Sequence, residues 1–475
     1  MKRIQLLILV MFVAVGPLLA QSANTEWQER IARIKELVGT NTQQASEEVN
    51  QLLKGKNKKD SEILIAVARV YFDAGKNSDA DIYLQQAKKV NNKYPGIYLL
   101  EGDIAVLNKD AGTACQLYEQ AIYFDPNCKE AYLKYAQVYR DASPEQAIEM
   151  LLRLKELAPD YLPANKELAD VYYRNNHFDK AIEEYAHFVN TSEVTEDDLM
   201  KYAFALFLNH DFAKSLEIAQ MGAQRNNRHA AFNRLLMYNY TDLKRYEEGL
   251  KAADTFFHNS DKQDFSYLDY MYYGHLLSSS KKYDEAIVEY KKALDLDSLK
   301  TNLWGEISDA YENLNNYVDA IDSYKKYIAS LEVEKQTPDL MFRLGKLYYA
   351  EGTSSPLIDP AAKKASLLEA DSVFSVIAEK APDSYLGSFW RARTNSALDP
   401  ETTQGLAKPY YEAVVSMLLT KNDPRYNPVI IECYSYLGYY YLLQNLMPQS
   451  KEYWHKILSI DPENATAKKA LAGIK

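Results

Sequence analysis

Apolar residues recur along this chain with the period of a helix buried on one side, and the recurring unit is a pair of such stretches. In residues 304–328, WGEISDAYENLNNYVDAIDSYKKYI, an apolar group stands every three or four positions among Asp, Asn, Glu and Lys. Numbering Trp304 as slot 4 puts Ile307 at 7, Ser308 at 8, Tyr311 at 11, Tyr317 at 17, Ala320 at 20, Tyr324 at 24 and Tyr327 at 27. The preceding stretch fills the same slots with Tyr270, Tyr273, Gly274, Leu277, Tyr283, Ala286, Tyr290 and Ala293. The small residue of slot 8 recurs at Ala68, Gly102, Ala136, Ala169 and Ala203, at spacings of 34, 34, 33 and 34. Met237, Gly274, Ser308, Gly345, Ala392 and Gly438 then occupy it in turn.

Each unit predicts two amphipathic helices joined by a short turn. Slots 4, 7, 8 and 11 make one stripe on the first helix, and slots 20, 24 and 27 make one on the second. Small residues at 8 and 20 allow the two helices to approach closely, and the large aromatic residues fill the wedge beside them. Proline follows many second helices, at Pro126, Pro159, Pro382 and Pro462, where it blocks continuation and sets the turn into the next unit. On this pattern Trp304, Tyr311, Tyr317 and Tyr324 are core residues, and Trp304→Ala is expected to cost roughly 3–5 kcal/mol.

This period and residue set resemble the tetratricopeptide repeat family, whose repeat spans about 34 residues. The match to NLWGEISDAYENLNNYVDAIDSYKKYI is close, with Ser308 where that family most often has Gly. The resemblance implies an all-α fold, a right-handed superhelical solenoid of antiparallel helix pairs. Its motif residues, including Trp304, Ser308, Tyr311, Ala320, Tyr324, Gly274, Ala286, Tyr290 and Gly438, are structural and assign no activity. The stretch SFWRARTNSALDPETTQGLAKPYYE and the Ala-Gln junction at residues 20 and 21 also resemble exported tetratricopeptide proteins of the Bacteroidales. That likeness implies a Gram-negative periplasm, with outer-membrane association.

The organisation expected is a signal peptide at 1–20, capping helices at 21–60 and a regular array at 61–349. An irregular array with inserted turns follows at 350–463, and a capping helix at 464–475. About eleven repeats lie between the caps. Solenoids need atypical ends because a terminal repeat would otherwise expose its stacking face. Gly345 and Ala370 lie 25 residues apart where 12 is regular, so thirteen extra residues are expected to extend the turn between helices. After Ala392, Asp399, Pro400 and Glu401 read as a turn into a short helix, and Lys408-Pro409 as the bend or start of another.

Residues 1–20, MKRIQLLILVMFVAVGPLLA, have the charged start, apolar run and small terminal residue of a secretory signal. Beyond them no run approaches the roughly 20 apolar residues of a membrane span, so the mature chain is expected to be exported and to lack a transmembrane segment. Without Lys2 and Arg3 it carries 53 basic and 66 acidic residues and no basic block, which argues against nucleic acid or an anionic lipid surface as partner. Three cysteines are too few for a disulfide scaffold and read as buried or half-buried thiols.

No metal-ligand spacing links the seven scattered histidines and three cysteines, and neither a phosphate loop nor a nucleophile elbow is present. No catalytic residues, cofactor or metal are therefore expected. The reading is a non-enzymatic scaffold that binds an unidentified peptide or protein partner on its concave face. The alternatives are a glycan or peptidoglycan module, raised by 39 tyrosines most of which fill core slots, and a spacer in an envelope assembly. A clamp for acidic chain termini fits poorly, since its groove positions would hold Leu133 and Gln137, Lys166 and Asp170, then Met200 and Phe204. The concave lining of such an array comes from first-helix slots 2, 5, 9, 12 and 13. These are mostly polar, as at Asn302, Asp309, Glu312 and Asn313, but hold Met200, Phe204, Phe207 and Leu208 in one unit. Tyr238 extends that apolar lining, and Asp197 and Arg234 are expected to form a polar rim.

Overall fold

All eleven slot-8 residues are buried, and in several pairs the slot-24 ring lies directly on them. A methyl group added at Gly274 would stand 2.5 Å from the Tyr290 ring, and one at Gly438 would stand 2.8 Å from Trp454. Gly102 is equally closed by Tyr118. Where slot 8 or 20 is serine, its hydroxyl bridges the two helices. Ser308 donates to the carbonyl of Ala320 at 2.8 Å, Ser215 to that of Ala203 at 2.8 Å, and Ser450 to that of Gly438 at 2.7 Å. A buried hydroxyl is thereby satisfied without widening the gap.

The computed structural model describes residues 16–261, 264–354 and 359–474, so residues 1–15 of the expected signal lie outside the described residues. The chain is all-α, made of repeating antiparallel helix pairs of the tetratricopeptide-like kind, and divides into two compact units, Met1–Arg225 and Asn226–Lys475. In the first, the pair Gly16–Val38 and Thr42–Leu52 precedes five others among the described residues. These are Ser61–Asp73 with Asn77–Val90, Pro95–Leu107 with Ala111–Phe124, Lys129–Tyr139 with Pro144–Leu157, Leu162–Arg174 with Phe178–Ala186, and Glu196–Leu208 with Phe212–Arg225. In the second, six pairs among the described residues precede the single helix Ala465–Gly473. They begin with Ala230–Asp242 and Tyr246–Asp254 and end with Asn427–Leu443 and Met447–Ile460.

Local chemistry sets the boundaries. Asp60 accepts from the amides of Glu62 and Ile63, and Thr195 with Asp198 forms a reciprocal capping box. Pro126, Pro159, Pro382 and Pro462 each sit two residues beyond the end of a second helix. Between the helices of a pair, slot 15 is left-handed, at Gly75, Lys109, His210, Lys244, Lys281 and Asn445 among others. The next amide then reaches back five residues, as from Lys282 to Leu277 at 2.9 Å, which closes the first helix. The pair Lys129–Tyr139 and Pro144–Leu157 has no left-handed residue: its first helix ends two residues earlier relative to slot 8 and its turn, 140–143, is one residue longer, so the second helix starts one residue early, the origin of the 33-residue spacing.

Three expectations need correction. Most of the extra residues after Gly345 lengthen the helices and only the remainder the connection, 354–359: Pro338–Thr353 and Pro360–Lys380 run 16 and 21 residues. The run PAAKKASLLEA consists of good helix formers behind a first-turn proline, so extension is favoured. After Asp399 the chain makes turns only, held by its buried carboxylate accepting from the amides of Thr403, Gln404 and Gly405, and the next helix, Lys408–Lys421, is a full 14 residues. Finally, Tyr324 is fully buried, but Trp304, Tyr311 and Tyr317 are half-buried at the rim, with Lys326 Nζ 4.6 Å above the Trp304 ring. A first-helix ring at slot 4 lies beside the crease between helices; the slot-24 ring lies in it. Cys115 and Cys433 are buried, Cys128 is half-buried, and all three are free thiols.

The depth difference is measurable. Tyr324→Ala should cost about 3–5 kcal/mol and Trp304→Ala only about 2 kcal/mol. Chemical denaturation of the two variants checks the order.

Candidate functional site

Slots 6 and 9 of the first helices lie outside the core stripe, and neighbouring units are joined through them. In the first unit, Lys134 meets Asp103 at 3.0 Å, Gln137 donates to Glu167 at 3.2 Å, and Lys201 meets Asp170 at 2.6 Å. In the second, Tyr272 stacks on Tyr238 with centroids 4.0 Å apart, Arg343 pairs with Asp309, and Lys346 stands over the Trp390 ring. Slot 9 of one unit thus contacts slot 6 of the next, with a partner of complementary chemistry at each of these rungs.

In the first unit the helices Lys129–Tyr139, Leu162–Arg174 and Glu196–Leu208 enclose a cavity of about 440 Å³ lined chiefly by charged groups. Asp170 is its hub, accepting from Lys201 at 2.6 Å and Arg174 at 2.6 Å, with Arg140 at 3.5 Å. Lys166 reaches Asp198 at 3.2 Å and the Glu193 carbonyl at 2.6 Å. Burial opposes ionisation of Asp170, yet the hydrogen bonds from Lys201 and Arg174 hold its carboxyl below the usual carboxylate range. Glu167 goes the other way. Burial pushes its carboxyl up, and one of its oxygens is enclosed without a hydrogen-bond donor while Arg140 stays 3.9 Å away.

The residues singled out from the sequence fall in both units. Met200, Phe204 and Leu208 form a line at slots 5, 9 and 13 of Glu196–Leu208 in the first. Met200 is half-buried, while Phe204 is 36% and Leu208 40% exposed. Phe207 is half-buried, its ring 5.5 Å from that of Phe212. Asp197, one turn before Met200, is 61% exposed and pairs with Lys201 at 2.8 Å. Arg234 and Tyr238 belong to the second unit and are spent inside it. Both bind the fully buried Asp269, Arg234 through Nε at 2.7 Å and Tyr238 through its hydroxyl at 2.7 Å. Tyr238 is itself buried, so it offers no apolar surface, and Arg234 is a buttress of that carboxylate. Sequence reasoning missed the role of Asp269 and weighed Lys166 and Asp170 only as isolated slots. The signal available was the recurring 31-residue offset between a slot-9 acid and a slot-6 lysine, at 103 and 134 and again at 170 and 201.

Among the described residues no cluster of His, Cys, Asp and Glu could hold a metal ion, and no helix is long and apolar enough to cross a membrane. A tetratricopeptide repeat model matches residues 270–298, the pair Tyr267–Ser279 and Tyr283–Leu296. The chain is similar to the C-terminal part of a TPR repeat-containing protein from Cytophaga hutchinsonii. The two are 28% identical over 57% of this chain and 99% of that one, with a TM-score of 0.45. It is also similar to a tetratricopeptide repeat protein from Parabacteroides merdae, at 15% identity over 53% and 98% with a TM-score of 0.34. A third likeness is to Pseudomonas aeruginosa pilF, at 14% identity over 44% and 96% with a TM-score of 0.36. No curated protein matches the chain.

The two neighbouring carboxylates should respond oppositely to pH. Asp170, with a lowered pKa, stabilises the fold above its unfolded pKa and loses that contribution as pH falls through the folded value. Asp170→Asn should therefore cost on the order of 2 kcal/mol at pH 7 and progressively less in acid. Glu167, with a raised pKa, favours folding below its unfolded pKa and loses that contribution as pH rises through the folded value. Glu167→Gln should gain about 1 kcal/mol at pH 7, a gain that shrinks towards pH 4. Urea titrations of both variants across that range check the signs.

Proposed function

We propose that this protein is a non-enzymatic interaction scaffold working outside the cytoplasm, in the periplasm or in an assembly at the outer membrane. It holds a peptide segment of a partner protein along the Met200, Phe204 and Leu208 line. Helix-pair repeats of this kind serve protein–protein interaction by offering long surfaces built from successive first helices. The carrying observation is what the rungs leave over. In the cavity of the first unit each cation is already committed to a carboxylate, so these charges fasten helices together. Beside them two exposed apolar side chains, Phe204 and Leu208, stand in line with half-buried Met200 on one helix. The signal-like residues 1–20 and the resemblance to exported Bacteroidales proteins support the location.

The double substitution Phe204→Glu with Leu208→Glu should abolish capture of the partner from envelope extract and leave the thermal midpoint within about 2 °C, because surface changes cost little. A loss of folding would show that the two side chains belong to the core. Unchanged capture would show that the partner binds elsewhere.

A further inference from the structure

The apolar line is not symmetric in charge, and this asymmetry selects its occupant. Glu196–Leu208 opens with three acids, Glu196, Asp197 and Asp198, with Glu193 just before it. Three cations face this end, and all are in use: Lys166 is held by Asp198 and the Glu193 carbonyl, Lys201 by Asp170 and Asp197, and Arg225 by the Val194 carbonyl. Four carboxylates against three cations leave a net negative end. The positive pole of the helix, worth about half a charge, offsets only part of it. The other end of the line runs into Asn209, His210 and Asp211 and has no matching cluster. Met200 to Leu208 spans about 12 Å at 1.5 Å per residue, and Asp197 lies about 4.5 Å further along the same axis. A segment whose apolar side chains cover the line therefore places its adjoining residue at the exposed Asp197 carboxylate.

We infer that the occupant is a basic–apolar segment: apolar side chains on Met200, Phe204 and Leu208, with a lysine or arginine beside them at Asp197. This rests on the reading of the apolar line as the binding surface. An acidic or free C-terminal segment is disfavoured, since Arg140, Lys166, Arg174 and Lys201 are paired with carboxylates of the chain and at most 38% exposed, whereas Asp197, though paired with Lys201, is 61% exposed and open to a further cation. The formal charge of −11 for the whole sequence adds a long-range attraction for a basic partner.

Fluorescence anisotropy on the full chain tests this with three labelled peptides that share one Leu/Phe pattern and end in paired Lys, Gln or Glu. At low salt the Lys peptide should bind about tenfold more tightly than the Glu peptide, with Gln between them, as expected for one or two exposed ion pairs. The preference should shrink at about 0.5 M salt. Glu196→Lys with Asp197→Lys should reverse the order of the Lys and Glu peptides, and the milder Asp197→Asn should narrow their difference. Equal binding of all three peptides, lost on Phe204→Glu with Leu208→Glu, would overturn the basic preference and leave the apolar line standing. Failure of every peptide to bind, or binding indifferent to those two substitutions, would overturn the apolar line and this inference with it.

Discussion

At Gly102, Gly274, Gly345 and Gly438 the helix pair is spaced by the contact between a small residue at slot 8 of the first helix and a ring of the second, whereas other pairs place Leu84, Leu151, Ala219 or Ala253 at slot 24. Because no side chain intervenes at Gly102, Gly274 or Gly438, the ring fills the crease and fixes how close the helices come. The insertion after Gly345 shows how strictly the contact is kept. Thirteen extra residues enter between the helices of that pair, yet the Phe374 ring still closes on Gly345, at 2.7 Å from where a methyl group would stand. Most of the added length goes into helix beyond the contact, where Leu367 packs on Gly352 and the Ser366 hydroxyl donates to Glu351. Close packing tolerates longer helices more readily than a shifted ring.

Much of this was legible from residue spacing, because the slot-8 and slot-24 residues come from one helix pair and their separation is fixed by a short turn. The depth of individual aromatic residues was less so. Trp304 and Tyr324 share the pattern, but only Tyr324 lies in the crease; a periodic stripe is wider than the region that excludes water. The slot-6 and slot-9 rungs were hidden for a different reason. They join helices of successive units, so a sequence shows them only when slots about 31 residues apart are compared, and at Tyr238 and Tyr272 the pairing is aromatic instead of ionic. Asp269 was hidden in the same way, since its partners Arg234 and Tyr238 lie 35 and 31 residues before it.

The candidate site follows from what these contacts consume. Slots 8, 20 and 24 build the pairs, and at six steps among the described residues slots 9 and 6 bind successive pairs to one another. On Glu196–Leu208, slots 5, 9 and 13 carry Met200, Phe204 and Leu208, and the last two remain exposed. Specificity then comes from the charges at the end of that line, because charges locked inside a rung are costly to recruit: leaving either partner buried and alone carries a desolvation penalty. A scaffold of this kind fixes its architecture with one set of slots and can vary its partner with another.

A double-mutant cycle at Gly274 and Tyr290 measures the contact of the ring with the small residue directly. In a helix interior, Gly→Ala is normally stabilising by about 1 kcal/mol. Here Gly274→Ala should destabilise the fold while Tyr290 is present and stabilise it once Tyr290→Leu has removed the ring, a coupling of at least about 1 kcal/mol by chemical denaturation. Additive effects, or a stabilising Gly274→Ala in the presence of Tyr290, would contradict the claim that this contact sets the spacing of the helices.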